Sequence, residues 1–214
     1  AELDWRPAAW MNNRLDVRLL ALHRGTLRRA PRLRPGTDPD SPILPGFDIR
    51  VDRLVVDNLT VAEGLAGARR RVDMLARADV RKGRALLDVK GKLGGTDRLV
   101  LWLDSEPDRD RFDLRLAYDA PKGGLIAGLI GAKSTVRARI FGKGGWSRWD
   151  GVAHATQDGR TLAAFQIGSR SGLFRIAGQA RPGALVTGTA AQAIGPALSL
   201  LYDGRLADST LDGR

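Results

Sequence analysis

Residues 97–120 read DRLVLWLDSEPDRDRFDLRLAYDA, and the spacing of their apolar side chains sets the architecture. Leu99 and Leu101 recur at every second position before the central proline, and Leu114 and Leu116 do so after it. Successive side chains of a β-strand point to opposite faces, so this period predicts two strands, each with one apolar and one charged face. The short proline-containing connection predicts that they are antiparallel neighbours.

The same alternation continues through most of the chain. Its further apolar positions are Leu15, Val17 and Leu19, Phe47, Ile49 and Val51, Leu87 and Val89, and Val136, Ala138 and Ile140. Turn signals separate these runs at 82–83, 94–97, 142–145, 158–159 and 171–172. Strands joined by such turns predict a mostly β protein, built on an extended antiparallel sheet or a barrel.

Segments with other patterns interrupt the strands. Short helical pieces that cap the sheet are predicted at 6–11, 121–131 and 190–201, where proline at a first turn or apolar residues at helical spacing occur. Residues 30–46 are rich in proline and predict a surface loop rather than a linker, because the period of two runs on both sides. We therefore expect residues 1–214 to form a single unit. The pattern is already running where the chain begins and ends, which indicates a segment of a longer protein.

The chain carries a formal net charge of +11, which raises the question of an anionic partner. Its basic residues alternate with aspartates and apolar residues along the strands, and the densest basic clusters lack interleaved aromatics for base stacking. Nucleic acid is therefore not the expected partner. A solvated charged face with some attraction to anionic lipid head groups fits better.

The residues offer little for catalysis. The chain has no cysteine, and its two histidines, His23 and His154, have no carboxylate or nucleophile beside them in sequence. The zinc-peptidase, serine-hydrolase and phosphate-loop motifs are also missing from the sequence. We therefore predict a protein that is not an enzyme, with no catalytic residues, metal site or cofactor.

The apolar face leaves two architectures open. Several consecutive strands with leucine, valine or isoleucine on one side must bury that side or present it to something apolar. A second sheet covering the face makes a filled β-sandwich. A sheet that curls without filling its interior makes a channel or gutter.

The succession of units resembles the TamB family of translocation and assembly module subunits, within the AsmA-like superfamily. The resemblance begins with AELDWRPAAW at 1–10 and RLDVRLLALHRGTL at 14–27, and continues with LPGFDIRVDRLVVDNLTVAEGLAG at 44–67. It extends through residues 94–131 to WSRWDGVAHAT at 146–156 and GLFRIAGQARPGAL at 172–185. The likeness covers nearly the whole chain, and it rests on the order of the units because the family is repetitive.

This resemblance implies a twisted antiparallel sheet curled into a U-shaped gutter with an apolar interior. It also implies a periplasmic protein of a Gram-negative bacterium, held in the inner membrane by an anchor helix outside this chain. The implied activity is passive transport of phospholipid between the two membranes. The alternative is assistance in assembling outer-membrane β-barrel proteins and autotransporters, with an outer-membrane assembly β-barrel contacted through regions that this chain lacks.

In such a gutter, phospholipid acyl chains would be the partner and the apolar alternation would supply the lining. A β-bulge is predicted near 53–54, where it could move a neighbouring residue to the other face. The predicted lining residues are Ile49, Val51, Val55, Leu87, Val89, Leu99, Leu101, Phe112, Leu114, Leu116, Val136, Ile140, Phe165 and Ile167.

Overall fold

The computed structural model describes residues 1–28, 44–62, 69–124, 132, 134–171, 173–181, 198–207 and 210–213. They form one curled, open sheet of 14 strands, which confirms the predicted mostly β gutter-like fold. The strands are β1 (Glu2–Trp5), β2 (Arg14–His23), β3 (Thr26–Leu27), β4 (Asp48–Val61), β5 (Arg70–Arg81), β6 (Arg84–Leu93), β7 (Asp97–Glu106), β8 (Arg111–Ala120), β9 (Val136–Gly144), β10 (Arg148–Gln157), β11 (Arg160–Arg170), β12 (Leu173–Ala180), β13 (Leu198–Ala207) and β14 (Thr210–Gly213). Two short 3-10 helices lie at Pro7–Asn12 and Pro107–Arg109.

Strands β4 to β14 form a meander in which each strand pairs antiparallel with the next one along the chain. The start of the sheet differs from the expectation, because β2 and β3 both pair parallel with β4. Parallel neighbours need a long connection, since the chain must return to the same end of the sheet. The proline-rich segment occupies this connection, and its residues 30–43 lie outside the described part of the chain.

The predicted helices have three different outcomes. The first is confirmed as the 3-10 helix Pro7–Asn12, with proline in its first turn. Of the second, Pro121–Gly124 forms a turn and 125–131 lie outside the described residues. The third is wrong at 198–201, which belong to β13 and pair with β12, and its residues 190–197 lie outside the described part of the chain. The edge of β12 that faces away from β11 offers residues 198–201 a full ladder of hydrogen bonds. These bonds outweigh a weak helical spacing.

No second layer covers this sheet within the described residues, and its pattern of burial reflects that. The largest fully buried side chains there are two aspartates, Asp97 and Asp104. The buried apolar side chains of the described residues are Val17, Ala21, Val56, Ala76, Ala120, Ala132, Val136, Trp149 and Leu162. Apart from Trp149 and Leu162 they are alanines and valines, so they do not make the thick core of a β-sandwich.

Asp104 anchors the charged face of the sheet at β7. Arg84 of β6 donates two hydrogen bonds of 2.8 Å, one to each carboxylate oxygen, and Arg111 of β8 pairs with the same carboxylate. The Arg84 hydrogen bonds, with help from Arg111, hold the pKa of Asp104 below its ordinary value of 3.8, although burial opposes them. One carboxylate therefore joins three neighbouring strands.

We expect Asp104→Asn to lower the free energy of unfolding by about 2 kcal/mol at pH 7, because charge-assisted hydrogen bonds are lost. A group with a lowered folded-state pKa stabilises above its unfolded pKa, and that stabilisation disappears as the pH falls through the folded value. The difference between the two proteins should therefore shrink as the pH falls below about 4. Urea unfolding at pH 7 and pH 3 measures it.

Asp88→Asn is the matched control, since Asp88 is exposed on the same charged face. It should change stability by no more than about 0.5 kcal/mol. Equal losses for the two variants would mean that the bridge across three strands is not what stabilises β7.

Candidate apolar groove

Cross-strand pairing aligns the apolar side chains of successive strands in rows. Residues directly opposite each other in a ladder share a face, so the register defines these rows without reference to individual side-chain conformations. One row runs Val51, Ala78, Leu87, Leu103, Leu114, Gly142, Gly151, Ile167, Ile176 and Tyr202. The next runs Ala76, Val89, Leu101, Leu116, Ile140, Ala153, Phe165, Gly178 and Leu200. We call the surface carrying these rows the apolar face, and its reverse the charged face.

The register brings nearly all of the predicted lining residues onto this surface. Those on the apolar face are Ile49, Val51, Leu87, Val89, Leu99, Leu101, Phe112, Leu114, Leu116, Val136, Ile140, Phe165 and Ile167. They come from six strands, namely β4, β6, β7, β8, β9 and β11, and residues of β5 and β10 on the same face join them into one continuous surface.

Val55 lies on the charged face, away from the other predicted lining residues. A bulge shifts the β4 register between Val51 and Leu54, so that Val55 pairs with Leu75. Leu75 is in turn opposite Lys90 on the charged face. A single extra residue in one strand reverses the face of everything that follows, because side chains alternate.

Sequence reasoning left several residues of the apolar face unnamed. Leu54 and Val56 replace Val55 there because of the bulge. Leu103 continues the alternation of Leu99 and Leu101, so the period of two was a sufficient signal for it. Further members are Val72, Met74, Trp149, Ile176 and Leu200.

The centre of the apolar face is half-buried rather than enclosed. Leu87, Leu101, Leu114, Leu116 and Ile140 all retain some solvent exposure. Their immediate cover comes from neighbours within the same sheet, since every described strand belongs to it. Of the two architectures open from sequence, the curled single sheet is therefore the one observed.

Aromatic side chains close one end of the apolar face. Trp149 is 7% exposed and lies against Gly142 and Gly151, where an added Cβ atom would overlap its indole ring. Phe112 contacts this group edge-on, with ring centroids 5.9 Å from Trp149 and 5.0 Å from Trp146. Two glycines thus create the space that a tryptophan fills.

A clamp between two turns holds Trp146 over this end. The Asp110 carboxylate accepts hydrogen bonds from the Ser147 hydroxyl and from the Ser147 backbone N–H, the latter at 2.7 Å. The Ser147 hydroxyl is the main cause of a lowered pKa at Asp110. The indole N–H of Trp146 then donates to the Ser105 hydroxyl at 3.1 Å. The β9–β10 turn is thereby fixed across β7 and β8.

A buried polar pair marks the opposite end of the apolar face. The Tyr118 hydroxyl donates to the fully buried Asp97 carboxylate at 2.8 Å, and the Thr96 hydroxyl donates at 3.1 Å. Burial, with Asp97 beside it, raises the pKa of Tyr118, so the hydroxyl stays a donor. A small apolar cluster of Ala120, Ala132, Val136 and Leu162 packs nearby, against Tyr118.

The charged face carries paired arginines and aspartates. The pairs include Arg50 with Asp52 at 2.7 Å and Arg139 with Asp119 at 2.8 Å. Exposed pairs of this kind contribute little individually, about 0–1 kcal/mol each. They keep the charged face hydrated, in contrast to the apolar face.

Both histidines contact a polar side chain. His23 lies 3.6 Å from the Asp57 carboxylate, although no carboxylate stands beside it in sequence. Parallel pairing of β2 with β4 creates that contact between residues distant in sequence. His154 contacts the Thr161 hydroxyl at 3.3 Å on the exposed surface. The described residues contain no cluster of His, Asp or Glu that could hold a metal ion.

No helix among the described residues is long and apolar enough to cross a membrane. Comparison with known proteins gave no match to a family model, a curated protein or a solved structure.

We expect Gly142→Ala to lower the free energy of unfolding by about 1–3 kcal/mol, because the new methyl group displaces the Trp149 indole from its cleft. Urea unfolding followed by tryptophan fluorescence measures this, and near-ultraviolet circular dichroism should lose intensity. Gly91→Ala is the matched control, since its Cβ would lie 3.5 Å from the nearest atom, the Asp73 carbonyl oxygen. A neutral Gly142→Ala with an unchanged tryptophan signal would contradict the packing described.

Proposed function

We propose that this chain is part of an apolar conduit that carries phospholipid acyl chains between the inner and outer membranes of a Gram-negative bacterium. The observation that carries the proposal is one continuous apolar face, from β4 to β13, without a covering layer in the described residues. An uncovered apolar surface of this extent is unusual in a soluble protein and marks an interaction site. An acyl chain is the ligand that such a surface accepts without specific polar contacts.

The energetics of the face suit movement rather than fixed binding. Each methylene group kept out of water is worth about 0.8 kcal/mol, so an aliphatic wall lowers the cost of moving an acyl chain across an aqueous space. Leu87, Leu101, Leu116 and Ile140 present aliphatic groups of similar character along successive strands. A uniform wall has no single position at which the free energy of the bound lipid is so low that the lipid is trapped.

Charge on the reverse of the sheet supports the same proposal. Paired residues such as Arg139 and Asp119 keep one face hydrated while the other stays apolar. A phospholipid could therefore lie with its tails on the apolar face and its head group in solvent at the rim. Neither a fixed polar site nor an energy-consuming centre is required for passive movement.

The cellular part of the proposal rests on the resemblance of the ordered units to the TamB family. On that reading the chain is a periplasmic segment of a protein anchored in the inner membrane, and it is not an enzyme. The second function of that family, help in assembling outer-membrane β-barrel proteins, remains the alternative. The open sheet supports it, because a strand at the edge of a sheet can pair with an incoming strand.

The test is native mass spectrometry of the purified chain with extraction of bound lipid. We expect co-purifying phospholipid, and we expect Leu101→Asp and Leu114→Asp to reduce it at least about tenfold, because a charge opposes burial against acyl chains. Val100→Asp is the matched control, since Val100 neighbours Leu101 in the same strand but is 43% exposed on the charged face. It should keep the lipid.

Each outcome separates the two functions. A folded, lipid-free chain would overturn the conduit proposal, and binding of unfolded β-barrel segments by that same chain would then favour the assembly role. Equal lipid loss in Val100→Asp and Leu101→Asp would show that lipid does not distinguish the two faces. Circular dichroism of each variant confirms that its sheet is intact.

A further inference from the structure

The charged face contains a concavity that the conduit does not use. It extends from β9 to β13 and encloses about 920 Å³, within the range of small-molecule binding sites. Its side chains on the charged face include Phe141, Lys143, Val152, Arg170, Leu173 and Arg175. We call this feature the β9–β13 concavity.

The floor of the β9–β13 concavity is mostly apolar, with Gln166 as a polar member, although the surrounding face is charged. Phe141 pairs with Val152, which is opposite Gln166, and Gln166 is opposite Ala177. Phe141 is 58% exposed. Leu173, at the side of the concavity, is 48% exposed. Exposed apolar groups grouped in a concave surface indicate a ligand or partner more strongly than the same groups scattered singly.

The rim of the concavity carries an excess of positive charge. Arg170 donates to the Asp150 carboxylate at 2.6 Å, and Arg175 donates to Asp203 at 2.7 Å, so these two arginines are neutralised. The remaining basic residue is Lys143. It lies opposite Asp150 in the ladder, yet it makes no ion pair within 4.0 Å with a described residue. Its ammonium group is therefore available to an anion.

The charge distribution also restricts the form of the ligand. One available cation beside an apolar floor matches a ligand with a single negative charge at one end and an alkyl body. Neighbouring strands are about 4.8 Å apart, so the floor from β9 to β12 extends roughly 14 Å. That length suits one alkyl chain of medium length.

We propose that the β9–β13 concavity binds a single-chain anionic amphiphile, with its carboxylate at Lys143 and its alkyl chain along Phe141, Val152 and Ala177. This site lies on the opposite face from the proposed conduit and does not depend on it. Arg170 and Arg175 stay paired with Asp150 and Asp203 at the rim, which leaves one cation, Lys143, for one carboxylate. The expected ligand class is therefore a fatty acid.

The test uses dodecanoate, below its micelle concentration, titrated into the whole chain by isothermal calorimetry. We expect saturable binding that Lys143→Ala weakens about tenfold or more, because a charge-assisted hydrogen bond is lost. Dodecanol, with the same chain and no charge, should bind correspondingly more weakly. Lys90→Ala is the matched control, since Lys90 is an exposed lysine of the charged face outside the concavity.

A second pair of variants locates the alkyl chain. Val152→Asp should abolish the Lys143-dependent binding of dodecanoate, whereas Val100→Asp, on the charged face outside the concavity, should leave it unchanged. Loss of binding in Leu114→Asp alone would assign the ligand to the apolar face and overturn this proposal while supporting the conduit. Absence of saturable binding, or equal affinities for Lys143→Ala and the unaltered chain, would also overturn it.

Discussion

Hydrogen-bonded ladders between neighbouring strands are the interactions on which the rest of this structure depends. Most domains are held together by two packed layers that share one hydrophobic core. Here every described strand belongs to one sheet, and the largest fully buried side chains in that part of the chain are Asp97 and Asp104. Stability must therefore come from backbone pairing and from side chains that shield one another within each face. The consecutive meander from β4 to β14 satisfies this requirement, because each new strand completes the ladder of the one before it.

A sheet held together in this way has two chemically distinct faces. Arginine–aspartate pairs hydrate one face, and Asp104 with Arg84 and Arg111 makes that face cohesive across three strands. The other face presents leucine, valine and isoleucine side chains. Surface that a β-sandwich would bury under a second sheet is here uncovered among the described residues. The proposed conduit uses that surface, and the proposed fatty-acid site uses the β9–β13 concavity on the charged face.

The ends of the apolar face differ from its centre in how they are closed. At one end, Gly142 and Gly151 receive Trp149, and Asp110 fixes the turn that carries Trp146. At the other end, Tyr118 binds the buried carboxylate of Asp97. Both arrangements use specific fits and hydrogen bonds, whereas the centre relies on interchangeable aliphatic groups. The two ends of the apolar face are therefore held by specific side-chain contacts, whereas the aliphatic surface between them is not.

The alternation of residues was enough to predict the strands, their turns and most of the apolar face, because side-chain direction in a strand is a local property of the backbone. Leu101, Leu114 and Ile167 could be assigned to one surface on that ground alone. Pairing between segments distant in sequence could not be predicted from this local alternation. A bulge near 53–54 was predicted, but which residue it turns away depends on the pairing of β4 with β5. The parallel alignment of β2 with β4 and the strand at 198–201 also depend on which neighbour's ladder is available. Whether a second layer would cover the apolar face was likewise a question of how strands assemble, since an uncovered sheet and a sandwich require the same alternation in each strand.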